Sequence, residues 1–259
     1  ADAITINEMV EKKNPKIIIK IGGKIISKND LLEKYIKKIN SFSGNIILVH
    51  GGGNIANEYF KENSYPIKMI DGRRVTDKKT LEKLVMLYAG LINKNIISKL
   101  NSSEKKYIGL SGVDSKVIIS EKRKIKKIDY GYVGDIKKID GNFIKLLIKN
   151  KIFPVFCPIT ANKNGELLNT NADTIATMIA IEMAKYFQVD LIYFFDKPGV
   201  LINGNIIKKI NNIKFLNYVE HNEIKNGMIP KIQNSLEAIR CGVKKVLIGD
   251  INIFENPNN

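Results

Sequence analysis

Two short apolar segments, each running directly into a glycine-rich loop, constrain this chain more than any other feature. Residues 16–21 lead into Gly22-Gly23, and residues 45–49 lead into His50-Gly51-Gly52-Gly53. A helical pattern follows each loop. Because parallel strands end at the same edge of a sheet, the two loops are expected to be neighbours whose N–H groups bind phosphate or carboxylate. A tight strand–helix turn also needs glycine, so for a single loop a purely structural interpretation is equally open.

Strands alternate with helices along most of the 259 residues, which predicts an α/β fold with a mainly parallel central sheet. A new strand–loop unit begins near Gln188, so a first lobe is expected over residues 1–187 and a second over residues 188–259. The last strand is predicted at Val243–Ile248, and residues 4–13 are predicted to form a short helix.

The longest predicted helix begins at a cap formed by Thr76 or Asp77 and runs towards Leu100. Its apolar face is defined by residues at helical spacing, which are Leu81, Leu84, Val85, Tyr88 and Leu91.

The composition excludes several classes of protein. The formal net charge is +16, but the lysines are spread over the whole chain, which favours a solvated basic surface over a nucleic-acid site. No apolar run reaches the roughly 18 residues of a membrane span, and residues 1–16 lack the apolar core of a secretory signal. Cys157 and Cys241 lie far apart and are interpreted as reduced thiols of a cytoplasmic protein.

Three charged residues occupy unusual positions. Arg74 lies in a polar stretch of a chain with few arginines, where its planar fork suits a carboxylate and a surface salt bridge is equally open. Asp173 follows Asn169 just before an apolar helix, and a simple capping role is the favoured interpretation if it is taken alone. Lys231 begins another helix, where its charge opposes the helix dipole, so an anion is expected nearby.

Other familiar sites are absent from the sequence. Neither glycine loop has the spacing of a Walker A loop or of a dinucleotide-binding fingerprint. His50 and His221 do not belong to a metal-ligand cluster, so no metal site built from protein side chains is predicted.

Taken together, five motifs resemble the amino acid kinase family over nearly the whole chain. They are Lys20-Ile-Gly-Gly23, His50-Gly-Gly-Gly53, Gly72-Arg-Arg74-Val-Thr76, Asn169-Thr-Asn171-Ala-Asp173 and Gly227-Met-Ile-Pro-Lys231. Details around Gly72, Tyr130 and Phe195 resemble the form found in Bacteroidetes. The resemblance implies the three-layer αβα sandwich of this family.

The resemblance also implies a reaction, a step of arginine biosynthesis in which ATP, with Mg²⁺, phosphorylates the γ-carboxylate of N-acetyl-L-glutamate to an acyl phosphate. N-succinyl-L-glutamate is the alternative substrate. Rival functions are a kinase for uridine monophosphate or another acid, and a non-catalytic amino-acid-binding regulator. The expected partners are ATP and the acyl-glutamate, with no nucleic acid and no membrane.

Roles for individual residues follow from the same resemblance. Lys20 and Lys231 would flank the transferring phosphoryl group as catalytic residues, with Asp173 holding both lysines in place. The acyl-glutamate would be bound by Gly52, Gly53, Arg74 and Asn169. ATP would be bound by Gly23, Asp196, Lys197, Gly199, Val200, Leu201, Glu223, Ile224 and Lys225.

The resemblance further implies an oligomer. A homodimer is expected, with an interface on the first lobe around the helix from Leu81 to Leu100. The tail after Ile248 is short and asparagine-rich, and it lacks the final Gly-Thr-x-Ile strand that is usual in the family.

Overall fold

The computed structural model describes residues 16–255 except positions 71, 198, 203, 208, 209, 211, 225–227 and 250. The helix predicted at residues 4–13 therefore lies outside the described residues. The strands are β1 Lys16–Ile21, β2 Asn45–His50, β3 Met69–Ile70, β4 Arg73–Arg74, β5 Lys106–Leu110, β6 Ile118–Lys122, β7 Gly134–Ile139, β8 Ile152–Phe156, β9 Ile159–Ala161, β10 Leu167–Asn169, β11 Val189–Phe194, β12 Leu201–Ile202, β13 Asn205–Ile206, β14 Lys245–Ile248 and β15 Ile251–Glu255.

The helices alternate with these strands. They are α1 Gly23–Ile26, α2 Asn29–Ser41, α3 Gly53–Glu62, α4 Lys78–Val85, α5 Asn93–Leu100, α6 Gly141–Lys149, α7 Ala172–Ala184, α8 Asn212–Glu220 and α9 Ile229–Arg240. A π-helical segment, Met86–Ile92, joins α4 to α5, and a 3₁₀ turn covers Asp114–Lys116. No helix among the described residues is long and apolar enough to cross a membrane.

A seven-stranded sheet forms the centre of the fold, in the order β15-β14-β11-β1-β2-β8-β5. All neighbouring pairs are parallel except β14 and β15, which confirms the predicted mainly parallel sheet. Because β1 lies between β2 and β11, Lys20 is in register with Val49 on one side and Tyr193 on the other. The loops that follow β1, β2 and β11 therefore meet at one edge.

Helices cover both faces of the sheet, because successive strand side chains point to opposite faces. Ile18 and Ile47 belong to a core with residues of α7 and α9, whereas Ile19 and Leu48 belong to a second core with residues of α2, α3 and α5. All four isoleucine and leucine side chains are fully buried. The fold is thus the expected three-layer αβα sandwich.

The strand β15 corrects the prediction that the last strand would be β14. Residues 251–255 turn back beside β14 and pair with it antiparallel, with Ile251 opposite Ile248. Gly249, which precedes the turn, has φ +68°, a conformation that favours glycine. The short tail was therefore sufficient for one more edge strand.

The long helix was predicted correctly at its start but not along its whole face. Asp77 is the cap, since its side chain accepts a hydrogen bond from the Thr80 N–H at 2.7 Å. The π-helical segment then rotates the following residues about the axis. As a result Leu91, predicted to be on the apolar face, is 52% exposed, while Ile92 is buried.

A second sheet has the order β10-β9-β6-β7 and contains the antiparallel hairpin β6–β7. The small hairpin β3–β4 carries Arg74. The main sheet is continuous across the predicted lobe boundary at residues 187 and 188, because β11 pairs with β1 along its length. The division into lobes stays a prediction.

Candidate active site

Three charged side chains meet at the edge where β1 and β11 end, and they are called the charge cluster below. Lys20 Nζ lies 2.7 Å from Asp173 Oδ1, and Lys231 Nζ lies 3.0 Å from Asp173 Oδ2. The side chains are largely buried, with exposed fractions of 12% for Lys20, 20% for Asp173 and 11% for Lys231. One carboxylate, from α7, therefore bridges two ammonium groups, one from β1 and one from α9.

Asp173 is free to bridge the lysines because another residue caps its helix. The side chain of Asn171 accepts a hydrogen bond from the Thr174 N–H at 3.0 Å and is the N-cap of α7. Asp173 is the second residue of the helix and lies in its first turn. The capping role favoured for Asp173 alone is therefore wrong.

Burial and charge act against each other in the cluster. Burial lowers the pKa of Lys20, and the nearby Lys231 adds to this effect while Asp173 opposes it. Burial works to raise the pKa of Asp173, but the two ammonium groups outweigh it and hold that pKa below its usual range. Asp173 is accordingly an ionised bridging group and is poorly suited to act as a base.

Two aromatic rings lie beside the Lys231 ammonium group of the charge cluster, and neither was predicted as part of the site. Lys231 Nζ lies 5.2 Å from the ring centroid of Tyr193 and 5.9 Å from that of Phe195, within the range of cation–π attraction. The Tyr193 hydroxyl lies 2.7 Å from Thr177 Oγ1, which donates to the Asp173 carbonyl. The signal in the sequence was the aromatic end of β11.

The two glycine loops are neighbours, as predicted from the strand ends. A Cβ atom added at Gly23 would lie 3.6 Å from the Gly53 nitrogen, and one added at Gly51 would lie 3.5 Å from the Gly23 nitrogen. A Cβ at Gly52 would lie 2.7 Å from both Tyr88 and Ile92. A side chain at Gly52 would thus force the side chains of Tyr88 and Ile92 to move.

Arg74 is buried beside the second glycine loop and is not part of a surface salt bridge. One guanidinium nitrogen, Nη2, donates to the Gly53 carbonyl at 3.4 Å and to Asn57 Oδ1. The guanidinium carbon lies 5.1 Å from the ring centroid of Phe60. The other terminal nitrogen, Nη1, is buried without a hydrogen-bond partner among the described residues. This arrangement leaves a cationic donor for an anionic ligand.

Asn169 lies near the same place through a chain of hydrogen bonds. Its Nδ2 donates to Thr76 Oγ1 at 3.1 Å, and the Thr76 hydroxyl donates to the Arg74 carbonyl at 3.1 Å. Thr76 is fully buried. The structure therefore joins Arg74 and Asn169, which are far apart in sequence, through one buried threonine.

The residues predicted to bind ATP lie after β11 and near the end of α8. The Asp196 carboxylate is 24% exposed and accepts a hydrogen bond from Lys24 Nζ at 3.3 Å, and Lys197 is also exposed. The side chains of Val200 and Ile224 are buried in the core, and Gly199, directly before Val200, is also buried. Leu201 is 36% exposed, Glu223 is half-buried and Lys225 lies outside the described residues.

Metal-ligating side chains do not gather in the part of the chain that the structure describes. No group of three or more histidine, cysteine, aspartate or glutamate residues is placed to hold a metal ion. Both oxygens of Asp173 face lysines. Cys157 is buried and Cys241 exposed, and both are free cysteines.

Comparison with known proteins agrees with this geometry. The profile of the amino acid kinase family matches residues 15–250. Acetylglutamate kinase of Parabacteroides distasonis is 42% identical over 236 residues, covering 90% of this chain and 92% of the relative. Acetylglutamate kinase of Cytophaga hutchinsonii is 44% identical, covering 89% of each chain. The crystal structure of smu.665 from Streptococcus mutans UA159 superposes with a TM-score of 0.80 at 32% identity, covering 91% of this chain and 95% of that one.

Proposed function

Because this chain belongs to the amino acid kinase family, we propose that it transfers the terminal phosphoryl group of ATP to the γ-carboxylate of N-acetyl-L-glutamate. The product is an acyl phosphate, and the reaction is a step of arginine biosynthesis. The observation that carries the proposal is the charge cluster, in which one carboxylate holds two buried lysines beside two loops of backbone N–H groups.

Phosphoryl transfer needs positioning and charge neutralisation more than covalent chemistry. Lys20 and Lys231 approach from different elements, so their ammonium groups can neutralise negative charge that develops on the transferring group from two sides. Asp173 fixes both ammonium groups by ion pairs. It has no proton to remove, because the attacking γ-carboxylate is already ionised near neutral pH.

The acyl-glutamate is held at its α-carbon, through the α-carboxylate and the acylamino group, and at its γ-carboxylate. Arg74 pairs with the α-carboxylate through the buried nitrogen that lacks a partner among the described residues. Asn169 orients the acylamino group from its place beside Thr76. Gly52 and Gly53, at the start of α3, donate N–H groups to the reacting oxygens. Arg74 together with Asn169 supports an amino-acid-derived dicarboxylate over uridine monophosphate.

The nucleotide binds on the side of β11 and the segments that follow it. Gly23 opens a short helix beside the phosphates, while Asp196, Lys197, Gly199, Val200, Leu201, Glu223, Ile224 and Lys225 contact the rest of ATP. Val200 and Ile224 have buried side chains, so they contribute through their backbone. Mg²⁺ would be held mainly by the phosphate oxygens of ATP and would offset part of their negative charge.

We extend the proposal to a cytoplasmic homodimer with two lobes, residues 1–187 for the acyl-glutamate and residues 188–259 for ATP. An apolar surface on the long helix supports the interface, since Met86 is 60% exposed and Leu91 is 52% exposed. Sedimentation at a series of protein concentrations tests the dimer.

Coupled ADP release tests the function. The purified protein is assayed with MgATP and either N-acetyl-L-glutamate or N-succinyl-L-glutamate, and hydroxylamine traps the acyl phosphate. Turnover with an acyl-glutamate is expected, and the ratio of kcat/KM values identifies the acyl group. A folded protein that binds ATP but turns over neither compound would contradict the proposal and favour another acid as substrate.

A further inference from the structure

His50 is a buried titratable residue that the proposed mechanism does not use. It ends β2 directly before the glycine loop and is fully buried. Its Nδ1 lies 2.7 Å from the carbonyl oxygen of Gly51, and its Nε2 lies 3.1 Å from Asn93 Nδ2. Both ring nitrogens therefore have partners inside the protein.

The partners determine which nitrogen carries the proton. A carbonyl oxygen only accepts, so His50 Nδ1 carries the hydrogen and donates to Gly51. An amide NH₂ only donates, so His50 Nε2 accepts from Asn93. Burial lowers the pKa of His50 to about 4, and the ring is accordingly neutral at physiological pH.

Asn93 makes three side-chain hydrogen bonds, including the one to His50. Its NH₂ group also donates to the Val155 carbonyl at 3.0 Å, and its Oδ1 accepts from Lys94 Nζ at 3.3 Å. A Cβ atom at Gly109 would lie only 1.9 Å from Asn93 Oδ1, so this position has room only for glycine. Asn93 follows the π-helical segment directly, and π-helical turns occur frequently at functional sites.

We propose that His50 is a positioning residue for phosphoryl transfer, because its hydrogen bond to the Gly51 carbonyl aims the Gly52 N–H at the reacting oxygens. In a trans peptide the carbonyl of one residue and the N–H of the next point in opposite directions. Pulling the Gly51 carbonyl towards His50 therefore turns the Gly52 N–H away from the imidazole ring. This inference rests on the proposed function for the identity of the reacting oxygens.

The surroundings of Gly52 fit this role. Gly52 is buried, and the hydrogen bonds of the described residues include none donated by its N–H. Tyr88 and Ile92 of the π-helical segment pack against its Cα. The peptide is thus held from two directions, by a hydrogen bond at the Gly51 carbonyl and by side chains at Gly52.

Two replacements of His50 separate positioning from packing. The amide of His50→Asn can occupy the place of Nδ1 and donate to the Gly51 carbonyl. The amide of His50→Gln can reach the place of Nε2 and satisfy Asn93, but it leaves Gly51 without its donor. For His50→Gln we expect kcat/KM for the acyl-glutamate to fall about 10²-fold, as for loss of one transition-state donor, with KM for ATP within about twofold. His50→Asn restores most of the activity.

The opposite order would overturn the inference. If His50 only filled the core and satisfied Asn93, His50→Gln would be the better replacement. Equal activity of the two folded variants would likewise contradict the positioning role. Thermal unfolding of both variants measures their folded fractions, so that kcat is expressed per folded molecule.

The tautomer is tested in the wild-type protein without substrate. The chain contains two histidines, and His221→Asn, a change on the surface, assigns the two sets of imidazole ¹⁵N signals. A protonated Nδ1 and an unprotonated Nε2 on His50 at neutral pH support the inference, and the reverse tautomer overturns it. Absence of turnover by a wild-type protein with the expected tautomer would instead count against the proposed function.

Discussion

Two basic regions of this molecule differ in both burial and charge, and the more buried region has fewer charges. The charge cluster has two lysines and one aspartate, all largely removed from water. The hairpin cleft, beside β6 and β7, has more cationic residues, namely Arg73, Lys122, Arg123, Lys124, Lys126, Lys127 and Lys137. Its ion pairs are partly exposed. The exposed fractions of the side chains are 22% for Arg123 and 46% for its partner Asp135. They are 53% for Lys137 and 62% for its partner Glu121.

The difference shows that the number of positive charges does not identify a site. In the cleft, water screens each charge and an ion pair contributes about 0–1 kcal/mol. In the cluster, each buried charge is stabilised mainly by its ion-pair partner, because little water is available to solvate it. An incoming anion therefore competes strongly with Asp173 for the lysines. The net charge of +16 therefore describes mostly a solvated surface, as the spread of lysines along the sequence indicated.

Loss of a lysine sharpens the comparison most. Lys231→Ala is expected to lower kcat about 10²-fold or more with little change in folding, because it removes a donor that stabilises charge in the transition state. The coupled ADP assay measures kcat, and Lys126→Ala in the hairpin cleft is the matched control with wild-type turnover. Wild-type kcat in Lys231→Ala would exclude Lys231 from the mechanism.

Loss of a carboxylate tests the same contrast through stability. Asp173→Asn leaves two buried ammonium groups without a counter-ion, so the free energy of unfolding is expected to fall by about 3 kcal/mol. Asp135→Asn removes an exposed pair, and we expect a fall below about 1 kcal/mol. Urea unfolding of both variants measures these values, and similar losses would show that burial does not distinguish the two regions.

The adjacent arginines of β4 give the closest matched pair. Arg74 is 8% exposed beside the glycine loop, whereas Arg73 is exposed and lines the hairpin cleft. Arg74→Ala is expected to raise KM for the acyl-glutamate about tenfold to a hundredfold, as for a lost charge-assisted hydrogen bond. Arg73→Ala should leave KM unchanged. A lowered kcat with unchanged KM in Arg74→Ala would assign Arg74 a different role.

The smallest effect is expected in the cleft itself. Replacing both Lys126 and Lys127 by alanine should change kcat/KM by less than about twofold, because exposed charges are screened within about 10 Å at 0.1 M salt. Measuring kcat/KM for ATP from low to high ionic strength checks this. A large loss that disappears at high salt would instead show that the cleft attracts the nucleotide.

The sequence predicted the site best where a motif and a strand end coincide. Lys20 and the two glycine loops follow β1 and β2 directly, so the geometry of a parallel sheet was enough to bring them together. Asp173 and Lys231 needed the family resemblance, because no local signal pairs a residue of α7 with one of α9. Their ion pairs depend on how distant helices pack on the sheet.

The errors have physical causes of the same kind. Leu91 was assigned to the core because ideal α-helical spacing was extended through a π-helical segment that shifts the face of the helix. The strand β15 was missed because the tail was judged by its asparagines, although Ile251, Ile253 and Phe254 are residue types that favour a strand. Thr76 was considered only as a helix cap and as part of a motif, and Tyr193 was not singled out, because their roles depend on buried hydrogen-bond partners that are distant in sequence.

The π-helical segment between α4 and α5 departs from regular helix geometry, and this departure positions side chains beside the second glycine loop. An α-helix turns about 100° per residue, so rewinding residues 86–92 as an ordinary helix would rotate Asn93 away from His50 and Tyr88 away from Gly52. Shortening the chain at Gly90, which is exposed with open space around it, would allow that rewinding. With His50 in its proposed role, a regular helix over residues 86–92 would therefore lower turnover, whereas the wider turn keeps Asn93 and Tyr88 beside the second glycine loop.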